Sequence, residues 1–239
     1  MRKKFLITGA QGDIAQSICK IIRLKYKNKI LIDGIDILKS GPSNYIFDKI
    51  IQSPKINTNK YNIFINKIFK KYNLIIPTTE NEIQYLSKNS KIIDLFPILI
   101  NKTQITKMFL NKILTHNFLS SNKIFPSKFS VPLNMLKKYQ GRFFLKKIYG
   151  RGNKNYQLIN SKSKFKKLKI LEKNTWMAQE FLDDKYDEYT CCVIKLEKFI
   201  STIILKRKLN RGTSYYVEIV KNKKIDKALK EIANKIDLT

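Results

Sequence analysis

The sequence predicts an α/β protein in more than one lobe, on three observations. At 239 residues the chain can bury a good core and has room for more than one lobe. Short apolar runs alternate with helically spaced apolar residues through residues 1–98. Residues 142–159 then read as strand, glycine loop, strand, and strand-like runs continue beyond them.

Composition narrows the class. Hydrophobic residues make up 43% of the chain, too many for a disordered polymer. No apolar run is long enough to cross a membrane. Met1-Arg2-Lys3-Lys4 is followed by only Phe5-Leu6-Ile7 before Thr8-Gly9, too short for a signal-peptide core. Cys19, Cys191 and Cys192 are odd in number and show no metal spacing, so reduced thiols and a cytoplasmic location are expected. Lys and Arg number 48 against 18 Asp and Glu, a formal charge of +30. The excess is mostly Lys, spread over the whole length and accompanied by Asn and Ile. That pattern points to a drift towards A/T-rich codons. No specific nucleic-acid partner is expected, although non-specific sticking to phosphate polymers at low salt is.

The first domain reads in order. Lys3 to Ile7 is a strand, Thr8-Gly9-Ala10-Gln11-Gly12-Asp13 a turn, and Ile14, Ile18, Ile21 and Ile22 continue with helical spacing. Gly9 and Gly12 thus stand at a strand-to-helix turn of the nucleotide-binding βαβ type, with Ala15 in place of a third glycine. The domain is Rossmann-like, and a scaffold without dinucleotide is the preferred reading. Strand two, Lys29 to Ile35, ends in Asp36, where a ribose could be held. Tyr61 to Tyr72 is an amphipathic helix and Leu74 to Ile76 a strand. Pro77-Thr78-Thr79-Glu80-Asn81-Glu82 follows at a strand's carboxyl end, where open α/β sheets bind ligands. Thr79 and Glu82 also fit a capping box. Phe96 to Ile100 is read as a further strand, with the domain closing at residue 98.

The second half opens with a helix from Asn101-Lys102-Thr103, with His116 near its end as a structural or exposed residue. Val131-Pro132 is extended. Phe143, Phe144 and Leu145 form a buried strand that carries Lys146 into Gly150-Arg151-Gly152. Glycines let backbone approach a ligand closely, and loop amides flanked by Lys146 and Lys154 would make an anion-binding concavity. An ordinary basic hairpin turn is the competing reading. Lys162 to Leu171 is a basic, solvated helix. Strands follow at Trp176 to Leu182, Asp187 to Ile194 and Ile200 to Leu205. Residues 210–214 are read as a loop, and Ile225 to Ile236 as the last helix.

The order and spacing of Gly9-Ala-Gln-Gly-Asp-Ile-Ala15, Pro77-Thr-Thr-Glu-Asn-Glu82, Phe144-Leu-Lys146 with Gly150-Arg-Gly-Asn-Lys154, and Gln179-Glu-Phe-Leu182 with Asp187-Glu-Tyr-Thr190 resemble the ATP-grasp superfamily. They look most like single-copy proteins related to the carbamoyl-phosphate synthase large subunit. The resemblance implies a pre-ATP-grasp domain over 1–98, then ATP-grasp subdomains over 99–174 and 175–239, the second incomplete. ATP would lie between the two α+β subdomains. Lys102 and Lys146 would neutralise phosphate oxygens, and Gly150, Arg151 and Gly152 would close over them. Gln179, Glu180, Phe181 and Leu182 would read adenine, partly through the Glu180 carboxylate. Glu188 would hold the ribose. Arg207 and Lys206 would serve catalysis at the γ-phosphate or the substrate carboxylate. Gly12, Thr79 and Glu80 are the substrate-contact candidates. The implied reaction activates a carboxylate as an acylphosphate, captured by an amine or other nucleophile. Positioning, charge neutralisation and Mg2+ suffice for it. Small-molecule carboxylate and amine substrates, and a homodimer paired through the first domain, belong to the same expectation.

Departures from the family pattern qualify it. Lys147 stands where a proline is usual, and Asn155 where a loop glycine is common. The family's acidic residue and Glu-x-Asn triplet, which hold Mg2+, have no counterpart; Glu218, Asp226, Glu231 and Asp237 do not match them. The expectation is a chain truncated before its metal-binding strands, incomplete or inactive alone. A non-catalytic nucleotide-binding module is the alternative. An NAD(P)-dependent oxidoreductase ranks lower, because the second half lacks a suitably placed Tyr-x-x-x-Lys pair.

Overall fold

The computed structural model describes residues 2–124, 129–139, 141–150, 156–168, 175–182, 186–210 and 213–236. Two compact units divide the chain, Met1–Thr106 and Lys107–Thr239.

In the first unit the elements run β1 (Lys3–Thr8), α1 (Asp13–Tyr26), β2 (Ile30–Asp36), β3 (Lys49–Gln52), α2 (Asn59–Phe69), β4 (Leu74–Ile76), α3 (Glu80–Lys88) and α4 (Ser90–Leu95). Their strands form one parallel sheet in the order β3-β2-β1-β4. A central parallel strand is buried on both faces, and β1 shows it. Leu6 packs with Tyr61, Ile65 and Phe69 of α2 and Leu86 of α3, while its neighbour Ile7 packs with Ala15 and Cys19 of α1. Adjacent side chains on a strand point oppositely, so helices cover both faces and the unit is Rossmann-like.

Two sequence expectations change here, and one strand was not anticipated. The inward stripe of α1 is Ala15, Ile18, Cys19 and Ile22, whereas Ile14 and Ile21 are exposed. Small Ala15 and Cys19 let the helix approach the sheet. Residues 96–100 contribute one parallel bridge, Ile75 to Ile98, rather than a full strand. Strand β3 comes from Lys49-Ile-Ile-Gln52, too short a run to stand out in the sequence.

Helix α5 (Thr103–Leu110) crosses the division between the units. In the second unit α6 (Lys112–Ser121), β5 (Ser130–Pro132), β6 (Phe143–Lys147), β7 (Tyr156–Ile159), α7 (Lys162–Lys167), β8 (Trp176–Glu180), β9 (Glu188–Leu196), β10 (Phe199–Asn210), β11 (Thr213–Ile219) and α8 (Lys223–Lys235) follow. One antiparallel sheet has the order β5-β8-β6-β7, and another β11-β10-β9. The boundary expected at 174/175 thus falls within a sheet, because β8 pairs with β5 and β6.

The single helix expected from residue 101 is two. Asn111 accepts hydrogen bonds from the amides of Ile113 and Leu114, at 2.9 and 3.1 Å, and restarts the helix. His116 consequently lies in the middle of α6, not near a helix end. Residues 213–219, expected in part as loop, form β11.

Each antiparallel sheet has one covered face. Phe143, Leu145, Ile159 and Ala178 pack with Leu133, Phe165 and Leu168. Helix α8 lies against β9 and β10, where Thr202 donates to Asp226 at 2.5 Å and Lys195 to the Ala233 carbonyl at 3.0 Å. Among the described residues, no helix is long and apolar enough to cross a membrane.

Candidate functional site

The first group of site residues gathers at the carboxyl ends of β1 and β4. Gly9 has φ +62, and a Cβ there would strike the Thr79 methyl and come within 2.9 Å of Thr78 Oγ1. Only glycine serves both the angle and the approach. The Gly12 amide donates to the Gly9 carbonyl at 2.9 Å, and Gly12 caps α1. Thr78 Oγ1 donates to the Thr8 carbonyl at 2.6 Å. The structure thus brings Gly12 and the Thr79-Glu80 segment to one rim, with the N-terminus of α3 beginning at Glu80.

Half of the capping box forms. Thr79 accepts from the Glu82 amide at 3.3 Å. The Glu82 carboxyl instead turns into the core, where the hydroxyls of Thr8 and Tyr61 donate to it. Burial pushes its pKa up. The two hydroxyls pull it down, and nearby Asp36 adds to the rise. Asp36, the ribose candidate, accepts from the amides of Gln11 and Leu38, both at 3.0 Å. Its two oxygens already hold the glycine turn and the loop after β2, which weighs against a dinucleotide there.

Lys102 also belongs to the first unit, where its carbonyl accepts from the Thr106 amide as α5 begins. Lys146 belongs to the second. Registers Lys146 to Met177, Lys146 to Tyr156 and Phe144 to Gln179 place Lys146, Phe144 and Gln179 on one face of their sheet. That face is opposite the covered one. Lys146 is half-buried, and among the described residues no hydrogen bond or ion pair holds its ammonium. Burial lowers its pKa first, and the Lys112 charge lowers it further. Glu180 pairs with Phe143, so alternation sets its side chain on the face away from Lys146. The adenine role expected of its carboxylate finds no support in that register. Phe181 stacks near Phe144, centroids 5.2 Å apart, with the Arg142 guanidinium 4.8 Å over its ring. Leu182 is exposed. Gly150 has φ +128 with open space around it, so the backbone angle rather than crowding calls for glycine. Arg151, Gly152, Lys154 and Asn155 lie outside the described residues.

On the other sheet, Arg207 sits opposite Glu188 and donates to it at 2.7 Å. Both lie on the face that α8 leaves open, since Thr202, on the alternate face, bonds to α8. Arg207 Nε is buried and, among the described residues, has no acceptor. Lys206 points to the opposite face from Arg207 and pairs with Asp187 at 2.8 Å. That bond holds the Asp187 carboxyl below its usual range and raises the Lys206 ammonium. Glu188 and Arg207 are therefore brought together, and Lys206 is turned away from them.

Sequence reasoning missed Lys112. Its ammonium donates to the Gly150 carbonyl at 2.7 Å, and its amide to the Ile148 carbonyl at 3.2 Å. The signal was present, since Asn-Lys occurs at 101–102 and again at 111–112. Among the described residues, no group of three or more His, Cys, Asp or Glu side chains could hold a metal.

No family model matches the sequence, and no curated protein matches it. Solved structures do match. N5-carboxyaminoimidazole synthetase from Staphylococcus aureus aligns over 98% of this chain and 63% of its own, at TM-score 0.75 and 16% identity. L-amino acid ligase from Bacillus licheniformis aligns over 96% and 58%, at 0.65 and 12%. The biotin carboxylase domain of Hydrogenobacter thermophilus 2-oxoglutarate carboxylase aligns over 90% and 52%, at 0.61 and 11%. The chain therefore shares its fold with these three enzymes. The likeness takes in nearly the whole of this chain, which spans about 63% of the length of the synthetase.

Proposed function

We propose that this chain binds ATP as an ATP-grasp protein of the ligase type, in which a carboxylate is activated by phosphoryl transfer and captured by an amine or other nucleophile. The observation that carries the reading is Lys146, a half-buried ammonium that no acceptor holds among the described residues, on the strand that runs to Gly150. A desolvated cation is costly without an anion, and a polyphosphate supplies one. The buried Arg207 Nε is a second donor lacking an acceptor. Neighbours of the same fold support the ligand. The S. aureus synthetase was also solved with ADP, and the biotin carboxylase domain with MgADP and bicarbonate.

In this reading Lys146 and Gly150 of the second unit meet the phosphates, Gln179 and the backbone of residues 180–182 meet adenine, and Glu188 meets the ribose; Lys102 is the first unit's candidate for a phosphate contact. Arg207, released in part from Glu188, faces the γ-phosphate. Gly12, Thr79 and Glu80 meet the substrate. Bound Mg2+ would offset phosphate charge; its ligands are not among the residues gathered here. Small-molecule carboxylate and amine substrates, the nearer likeness to carbamoyl-phosphate synthase, and a homodimer belong to the same proposal. A dimer is also how the biotin carboxylase domain is described.

The test is a thermal-shift titration with ATP, with and without Mg2+, beside Lys146→Ala. Ligand at a hundredfold excess over Kd should add about 2.7 kcal/mol of stability. A shift lost in Lys146→Ala supports the site. A cooperative transition that ATP never moves points to a non-binding module instead.

A further inference from the structure

The second unit has a cleft on the side of its β5-β8-β6-β7 sheet that faces away from Lys146. Phe143 and Leu145 of β6 point to that side, and Lys146 alternates to the other. Two pieces of chain cover Phe143 there. One is the turn after β5, where the Leu136 amide donates to the Leu133 carbonyl at 3.2 Å. The other is α7, where the Ser161 hydroxyl caps the first turn by accepting from the Lys164 amide at 3.3 Å. Tyr139 from the first piece and Phe165 from the second stand with ring centroids 6.4 and 6.2 Å from that of Phe143, and 6.3 Å from each other. The two pieces line a cleft of about 560 Å³. Small-molecule sites run to roughly 300–1,000 Å³.

The floor of the cleft is apolar. Leu133 and Leu168 are buried in it, and Leu136, Tyr139 and Phe165 are partly buried. Its rim is basic. Lys137 and Lys138 stand on one wall, and Lys162 and Lys166 on the other. The second pair is spaced four residues apart, on one face of α7. All four lysines are exposed, and no Asp or Glu is among the described residues that line the cleft. Lysine stems commonly lie along apolar surface and cover it. Here they leave the cleft open, so an apolar floor and a ring of positive charge are presented together. A neutral apolar molecule would leave the charge unmatched, and a bare inorganic anion would leave the floor in water. An anion with an apolar body answers both.

We propose that this cleft is a second ligand site, one that takes a small organic carboxylate with an aliphatic or aromatic body. The body lies on Tyr139, Phe165 and the leucines, and the carboxylate sits among the four ammonium groups. The site stands independently of the ATP reading, because Lys146 and Gln179 occupy the opposite face of the same sheet.

The experiment uses the whole 239-residue chain and calorimetric titration with decanoate below its micelle concentration. Decanol supplies the body without the charge, and acetate the charge without the body. Lys162→Gln with Lys166→Gln removes two charges from the rim. Lys67→Gln with Lys70→Gln, at the end of α2 in the first unit, removes two elsewhere and controls for the charge of the whole chain. Decanoate should saturate a single site. The rim variant should weaken it about tenfold or more, the scale of a lost charge-assisted contact, and decanol and acetate should bind at least about as weakly as that. The control variant should leave it unchanged. As a second readout, the ring resonances of Phe165, assigned with Phe165→Leu, should move on titration with decanoate and stay in place with acetate. Equal weakening by the two double variants would show attraction to the overall charge alone and overturn the site. Decanol binding as tightly as decanoate, no saturable binding of decanoate, or Phe165 resonances that stay fixed at saturation would overturn it as well.

Discussion

Glu82 is a carboxyl group shut away from water between a threonine and a tyrosine hydroxyl. Burial raises its pKa in the folded state above the unfolded value of about 4.3. The group therefore contributes stability that is complete below the unfolded value and is lost as pH rises through the folded one. Urea unfolding at a series of pH values should show the parent losing stability relative to Glu82→Gln as pH rises from 4.3. Parallel curves for the two would refute it. Gly9 carries the other residue-scale prediction. Gly9→Ala forces a Cβ into Thr79 at φ +62, and should cost about 1–3 kcal/mol in the same assay. Gly9 was legible in the sequence, because a glycine between a strand and a helix has few other uses. The partners of Glu82 were not. A capping box and a buried acid look identical until the fold brings Thr8 and Tyr61 beside the carboxyl group.

At the scale of elements, two short joints matter most. Asn111 ends one helix and starts the next, and Asn111→Ala should cost about 0.5–2 kcal/mol of stability. Because it also releases the Tyr149 hydroxyl, to which Asn111 Nδ2 donates at 2.9 Å, it should weaken ATP binding more than an equally destabilising substitution in α8 does; equal weakening would make the joint merely structural. The order of strands and helices in the first unit was readable, since parallel strands buried on both faces give unbroken apolar runs such as Phe5-Leu-Ile7. Short edge elements were not. Lys49-Ile-Ile-Gln52 and Ser214-Tyr-Tyr-Val-Glu-Ile219 become strands through pairing with β2 and β10, a non-local cause. Phe96 to Ile100 has the apolar run of a strand but gains one bridge. Lys206 and Arg207 are adjacent in sequence and opposite in direction, which becomes decisive only once β10 is known to be extended through both.

For the molecule as a whole, a charge of +30 predicts weak binding to any DNA duplex. Its affinity should fall about 10³-fold or more between about 50 and 200 mM salt, regardless of sequence and of Lys146→Ala. Binding that survives the higher salt and prefers one sequence would reopen the nucleic-acid reading. The same charge bears on the sheet face that carries Glu188 and Arg207. Further along, that face exposes Ile194, Leu196, Phe199, Ile203, Val217 and Ile219. Mutual repulsion between like-charged molecules keeps such faces apart in dilute buffer. Salt shortens the reach of that repulsion to about 8 Å near 0.15 M and leaves the apolar attraction intact. This chain is therefore a charge-stabilised colloid: light scattering should rise with added NaCl at neutral pH, and Ile203→Lys should move the onset to higher salt.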